Sequence, residues 1–396
     1  MRVLTFLHSF ELGGVERIAL RLVREWRERG IEAPLFLGRL DGDMGYDVGR
    51  DLDMITPRRR WTWLSRWETI WMIITLPGVI RSEDPDVLFC AGNTYAIVAF
   101  AMKLLLGRRC PPIVAKISNN LDREDKKWWK RRTYRFWLWI QGRFIDHFVG
   151  LEEPARAEIR ERLHVSDDRI TVIPLPALSR TMIDRARKLR ALRRPDETGR
   201  SFVAVGRLAP QKNVALMLRA FQRGARAEDH LTIIGDGPQG PELFALAERL
   251  GIAGQVTFLG YVASPVELLA GFDVLLLSSN YEGVPAVVLE ALAADLNIVA
   301  TDCSRSMRAV LRDGILGTLV PVRDEAALAN AIAEIRSEPD CSQLSLAQAE
   351  RFTVEHAAGA YLLTMSRLCR ATMVPERPLS TTPGATAFER PIEQEI

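Results

Sequence analysis

Residues 273–292 read Asp273-Val274-Leu275-Leu276-Leu277-Ser278-Ser279-Asn280-Tyr281-Glu282-Gly283-Val284-Pro285-Ala286-Val287-Val288-Leu289-Glu290-Ala291-Leu292. The opening apolar run has strand length and no polar alternation, which suits a strand covered on both faces. Gly283 and Pro285 then break the pattern, and a helix follows in which Glu290 falls on the second turn. In parallel sheets, ligands bind at such strand-to-helix loops. Glu282 on the loop can accept hydrogen bonds from sugar hydroxyls. The free amides near Ala286 and Val287 can hold phosphate oxygens, and Glu290 faces the same ligand one turn further in.

The same unit recurs outward in both directions. Strands are expected at 2–8, 32–37, 86–91, 112–118, 147–152 and 169–175, and a second series at 201–208, 230–236, 255–261, 273–279 and 298–302, with helical patterns between them. The fold class is therefore α/β, with two Rossmann-like, doubly wound parallel-sheet domains facing a cleft. The expected division is 1–184 for the first domain, an Arg-rich linker at 185–200 and 201–373 for the second. The final helix is expected to return to the first domain, and 374–396 reads as a mobile tail.

Three further loops lie where chemistry belongs in this fold. After the first strand, Gly13-Gly14 lets backbone amides approach an anion at a helix start. After the first strand of the second series, Gly206-Arg207 and Lys212 offer a bidentate fork and a point charge to phosphate. Gly235-Asp236-Gly237-Pro238 belongs to a G-x-G-x-x-G that ends at Gly240. The next strand closes on Gly260-Tyr261 with no acid to hold a ribose, so a nicotinamide or flavin cofactor is disfavoured.

The formal charge of +3 conceals an asymmetry. Residues 1–200 carry 37 Lys and Arg against 27 Asp and Glu, whereas the remainder carry 16 against 23. The five cysteines are odd in number and form no C-x-x-C, so neither a disulfide framework nor a zinc site is indicated. The N-terminal run is too short for a signal-peptide core, no transmembrane helix is expected, and Asp41-Gly42-Asp43 reads as a solvated turn.

Taken together, these residues resemble the retaining GT-B glycosyltransferases of family 4, related to glycogen synthase and bacterial mannosyl- and glucosyltransferases. The resemblance rests on Gly13-Gly14-Val15-Glu16-Arg17, Gly206-Arg207 with Lys212, Gly235-Asp236-Gly237-Pro238, and the Glu282/Glu290 pair. It implies a nucleotide-diphosphate sugar as donor substrate, with no cofactor and no metal. Arg207 and Lys212 would bind the diphosphate, Glu282 the sugar and Glu290 the ribose, with Gly283, Val284 and Pro285 framing the site and Gly260 and Tyr261 near the base. Stabilising the departing diphosphate is then the main catalytic task. The chain departs from the family pattern at Leu175-Pro176, Asp295-Leu296-Asn297 and Arg305-Ser306-Met307-Arg308-Ala309.

The basic half interleaves cations with tryptophan at Arg58-Arg59-Arg60-Trp61-Thr62-Trp63 and at Lys126-Lys127-Trp128-Trp129-Lys130-Arg131. That combination suits the headgroup level of an anionic membrane. No nucleic-acid-binding module accompanies the charge. Because the resemblance assigns the acceptor to the first domain, a lipid-linked or polysaccharide glycan acceptor at the cytoplasmic membrane face is expected. Two other readings stay open: a nucleotide-sugar epimerase of related fold, and a catalytically weak sugar-nucleotide or membrane binding module.

Overall fold

Strand β1 (Val3–Leu7) is buried at all five residues, as an apolar run enclosed between two helical layers should be. The computed structural model describes residues 1–8, 14–39, 52–56, 68–118, 121, 128–193, 199–262, 265–336 and 341–373. Around β1 lie β2 (Leu35–Leu37), β3 (Met54–Ile55), β4 (Val87–Cys90), β5 (Ile113–Lys116), β6 (His147–Gly150) and β7 (Ile170–Val172), in the order β3-β2-β1-β4-β5-β6-β7. The second sheet holds β8 (Ser201–Val205), β9 (His230–Ile234), β10 (Val256–Gly260), β11 (Val274–Leu277), β12 (Asn297–Thr301) and β13 (Thr318–Val320), ordered β10-β9-β8-β11-β12-β13. Every pairing is parallel. Each sheet reverses its winding beside its first strand, between β1 and β4 and between β8 and β11. Those switch points are where crevices open.

The helices of the first sheet are α1 (Gly14–Glu28), α2 (Glu68–Glu83), α3 (Ala96–Leu106), α4 (Trp128–Phe144) and α5 (Glu153–Leu163). Helix α6 (Arg180–Leu192) leads to the second sheet, which is followed or flanked by α7 (Val214–Gly224), α8 (Gly240–Arg249), α9 (Pro265–Leu269), α10 (Ala286–Ala293), α11 (Ser306–Val310), α12 (Glu325–Glu334) and α13 (Ser342–Glu350), and α14 (Val354–Met373) comes last. Trp26 of α1 meets Tyr361 of α14 edge to face, with ring centroids 6.1 Å apart, so the last helix lies on the first sheet's helical layer.

The first half of the segment expected as a linker is helical. Residues 185–192 belong to α6, and Arg187 and Arg190 are anchored by hydrogen bonds whereas Arg185 is exposed. Arg187 donates to the carbonyls of Leu292 and Ala293 at the end of α10, and Arg190 donates to the Phe272 carbonyl. Two strands escape the sequence pattern. β3 has two half-buried residues and β13 is an edge strand, so neither presents an apolar run.

Candidate active site

The carboxyl ends of both sheets face a cavity of about 700 Å³, a size suited to a small-molecule site. On the second-sheet wall, the β8–α7 loop carries Gly206, Arg207 and Lys212, and all three line the cavity. This loop is clamped to the β11–α10 loop. Asn280 donates from its amide to the Gln211 carbonyl at 2.8 Å and from Nδ2 to Pro210 at 2.9 Å. Ser278 Oγ donates to the carbonyls of Lys212 and Asn213 at 2.9 and 3.0 Å.

The clamp brings Lys212 Nζ to 2.6 Å from Glu282 Oε1. The same carboxylate accepts from Ser279 Oγ at 2.9 Å and from Gln211 Nε2 at 3.4 Å. Glu282 is thus held in one orientation by three donors, before any ligand is considered. Arg207 is exposed, and its guanidinium has no ion-pair partner among the described residues. Helix α10 starts after Pro285, which supplies no side-chain cap, so the amides of Ala286 and Val287 stand without an internal acceptor where they line the cavity. Cation, fork and amides together can neutralise a diphosphate.

Glu290 lies one turn into α10, 4% exposed, and lines the cavity. Burial pushes its carboxyl above the ordinary range, while Arg21, Arg17 and Lys212 act in the opposite direction. Arg17 and Arg21 sit one turn apart on α1, so charges from the first sheet face an acid of the second across the cleft.

The turn after β9 depends on glycine. A Cβ on Gly235 would lie 2.1 Å from the Gly206 carbonyl oxygen, at a φ of +137°, and one on Gly237 would lie 2.4 Å from that of Leu208. The two loops therefore touch backbone to backbone. Asp236 accepts the Tyr261 amide at 2.8 Å, which ties this turn to the end of β10.

Of the residues singled out in the sequence, Gly14, Gly206, Arg207, Lys212, Gly235, Asp236, Tyr261, Glu282, Gly283, Val284, Pro285, Ala286, Val287 and Glu290 all line the one cavity. Gly237, Pro238 and Gly260 stand behind its wall. Gly13, Arg58, Arg59, Arg60, Trp61, Trp63, Lys126 and Lys127 lie outside the described residues. Trp128, Trp129, Lys130 and Arg131 begin α4, away from the cavity. The sequence reading assigns no role to Arg17, Arg21, Gln211, Ser279, Lys116 or Ser118, although the Arg17/Arg21 spacing and a lysine inside an apolar strand were visible signals. Among the described residues no cluster of three or more His, Cys, Asp or Glu has a metal-holding arrangement.

Two Rossmann-like sheets closing on a cleft with this loop set define the GT-B class of glycosyltransferases. The family model described as "Glycosyltransferase Family 4" matches residues 12–176, and that described as "Glycosyl transferases group 1" matches 199–338. The chain belongs to the family 4 type of GT-B glycosyltransferases. It is 32% identical over 208 residues to the exopolysaccharide phosphotransferase SCO2592 of Streptomyces coelicolor, covering 51% of this chain and 21% of that protein. To the lipopolysaccharide core biosynthesis glycosyltransferase LpsE of Rhizobium meliloti it is 24% identical over 346 residues, 84% of this chain and 88% of LpsE. The structure of Anabaena Alr3699/HepE in complex with UDP and glucose superposes with a TM-score of 0.71 at 18% identity, covering 92% of this chain and 99% of that one. The chain spans only 21% to 36% of the length of four curated relatives that it matches, SCO2592 among them.

Proposed function

We propose that this protein is a retaining, metal-independent hexosyltransferase that takes its sugar from a nucleotide-diphosphate donor. The observation that carries the reading is the Lys212–Glu282 pair at 2.6 Å, set beside Arg207 and the uncapped start of α10 on one cavity wall. Cleaving the bond between an anomeric carbon and phosphate leaves an oxocarbenium-like sugar and a diphosphate. Arg207, Lys212 and the α10 amides stabilise the departing charge, and their fixed positions require little reorganisation during the reaction. Glu282 accepts hydrogen bonds from the sugar hydroxyls, and Glu290 from the ribose. The acceptor hydroxyl attacks on the face that the diphosphate vacates and passes its proton to a phosphate oxygen, so no protein base is assigned.

The acceptor in this reading is a lipid-linked or polysaccharide glycan at the cytoplasmic face of the membrane. The names of relatives that act in lipopolysaccharide and exopolysaccharide synthesis favour it, and so does the surface of α4. There Trp128, Trp129, Phe136 and Trp139 are 76%, 50%, 62% and 48% exposed, and Lys130 Nζ stands 5.1 Å from the Trp129 ring centroid. Such a surface suits peripheral attachment to anionic lipid. No helix among the described residues is long and apolar enough to cross a membrane.

Screening UDP-, GDP- and ADP-sugars for a rise in melting temperature tests the donor assignment. One nucleotide series should stabilise the protein, and Arg207→Ala should cancel the effect. Equal melting curves with and without every donor would remove the basis for the assignment.

A further inference from the structure

Strand β5 ends the run Ile113-Val114-Ala115 in a lysine, and all four residues are buried, Lys116 to 1% exposure. Lys116 Nζ has no hydrogen-bond partner among the described residues. Glu16 of α1, which accepts the Tyr95 hydroxyl at 2.7 Å, is the carboxylate whose charge reaches it, without hydrogen-bonding to it. The other neighbour is the Cys90 thiol. Burial pushes that thiol up to about 12, so it supplies no counter-charge at neutral pH. Burial also draws the Lys116 ammonium down to about 8, which leaves it mostly protonated at neutral pH. A buried ammonium without a hydrogen-bond acceptor destabilises the fold that holds it. Lysine here therefore calls for a function outside the core.

Its position supplies one. Lys116 and Ser118 line the cavity from the carboxyl end of β5, and Arg17 lines it from α1. Ser118 is fixed by its own amide, which donates to Asn93 Oδ1 at 2.7 Å, and its hydroxyl contacts the Ala91 carbonyl only at 3.5 Å. This wall belongs to the first sheet, whereas Arg207, Lys212, Glu282 and the start of α10 belong to the second. The electrostatics separate them too. The cations acting on Glu290 are Arg21, Arg17 and Lys212, and Lys116 is not among them. Lys116 thus stands apart from the donor machinery, inside the same cavity.

We propose that Lys116 and Ser118 form an oxyanion subsite that takes a phosphate or carboxylate group carried on the acceptor. The acceptor is then anionic next to its reacting hydroxyl, and Lys116 selects it by supplying the missing half of an ion pair. Neutral glycans offer the buried ammonium no anionic acceptor and are discriminated against. The proposal rests on the donor occupying the second-sheet wall.

Inorganic phosphate is the probe, titrated by calorimetry into protein saturated with whichever nucleoside diphosphate binds. Wild type should bind phosphate under these conditions. Lys116→Met should weaken that binding by about ten-fold or more while leaving nucleotide affinity unchanged, because one charge-assisted contact is lost. Ser118→Ala should weaken phosphate binding less, and it gives the same reading if Lys116→Met fails to fold. Nucleotide affinity that falls with phosphate affinity would overturn the proposal by assigning Lys116 to the donor. Equal phosphate binding in wild type and variants would overturn it as well. Should no nucleotide bind, the donor reading has failed on its own. The titration is then run in the Arg207→Ala/Lys212→Ala background, where phosphate binding that depends on Lys116 still supports the subsite and its absence refutes it.

Discussion

Replacing Lys212 with Ala removes the cation that sits 2.6 Å from Glu282 and, in the proposed reaction, one positive charge at the departing diphosphate. Loss of one preorganised electrostatic group at a developing anion typically costs about 10²–10³ in kcat, or ~2.7–4 kcal/mol of transition-state stabilisation. The stability cost is smaller. Glu282 keeps Ser279 Oγ and Gln211 Nε2 as donors, and the Lys212 side chain is 22% exposed, so solvent shares its charge. A loss of about 1–2 kcal/mol is expected for a charged hydrogen bond with water access. Steady-state transfer and urea denaturation measure the two effects separately. Adding Glu282→Gln to Lys212→Ala should recover part of the stability, because the uncompensated carboxylate is gone, while activity stays lost. A Lys212→Ala enzyme with wild-type kcat would refute the placement of the diphosphate on this wall. Lost activity with a fully unfolded chain would instead show that the pair is structural.

Three further outcomes follow from other parts of the molecule. Gly235→Ala forces a Cβ to 2.1 Å from the Gly206 carbonyl and should cost about 2–4 kcal/mol with loss of nucleotide binding, read by denaturation and calorimetry. The buried Arg200–Asp229 pair governs acid stability: burial alone would raise the Asp229 carboxyl, but Arg200 and the amides of Arg226 and Arg200 outweigh it and hold the group below its usual range. A depressed folded value means that this contribution is complete above the unfolded value of about 3.9 and is lost as pH falls through the folded value, so Asp229→Asn should flatten the acid limb of the stability curve and cost about 3–5 kcal/mol near neutral pH. Replacing Lys126, Lys127, Lys130 and Arg131 with Ser should reduce co-sedimentation with anionic vesicles, at about 1 kcal/mol per charge, without altering donor binding.

Particular residues show how far the sequence alone carries. Strands such as β4, β5 and β11 were legible because both faces are covered, which leaves a run of apolar residues that only the terminal Lys116 of β5 interrupts. The strand-end loops were legible for a related reason: a glycine, a cation or an acid that breaks such a run is conspicuous. Residues acting across the cleft were not. Arg21 meets the field of Glu290, 269 residues further along the chain, only after the two sheets are brought face to face, and no local pattern encodes that approach. Residues 185–192 read as linker from their arginines, and no apolar stripe in them announced that they are helical or that Arg187 would donate to the carbonyls at the end of α10. Lys116 was a signal in plain view, a charge closing an apolar strand, but its meaning depends on the absence of a partner in three dimensions.

The central claim is hexosyl transfer from a nucleotide sugar at the Arg207, Lys212 and Glu282 wall, and product analysis tests it most directly. Purified protein is incubated with a radiolabelled nucleotide sugar and membrane extract, and the anomeric configuration of the product is read by NMR. The account predicts release of nucleoside diphosphate and a glycan-bound sugar with the donor's own anomeric configuration, both abolished in Arg207→Ala. An inverted product, an epimerised donor without transfer, or binding of the donor with no turnover would contradict it.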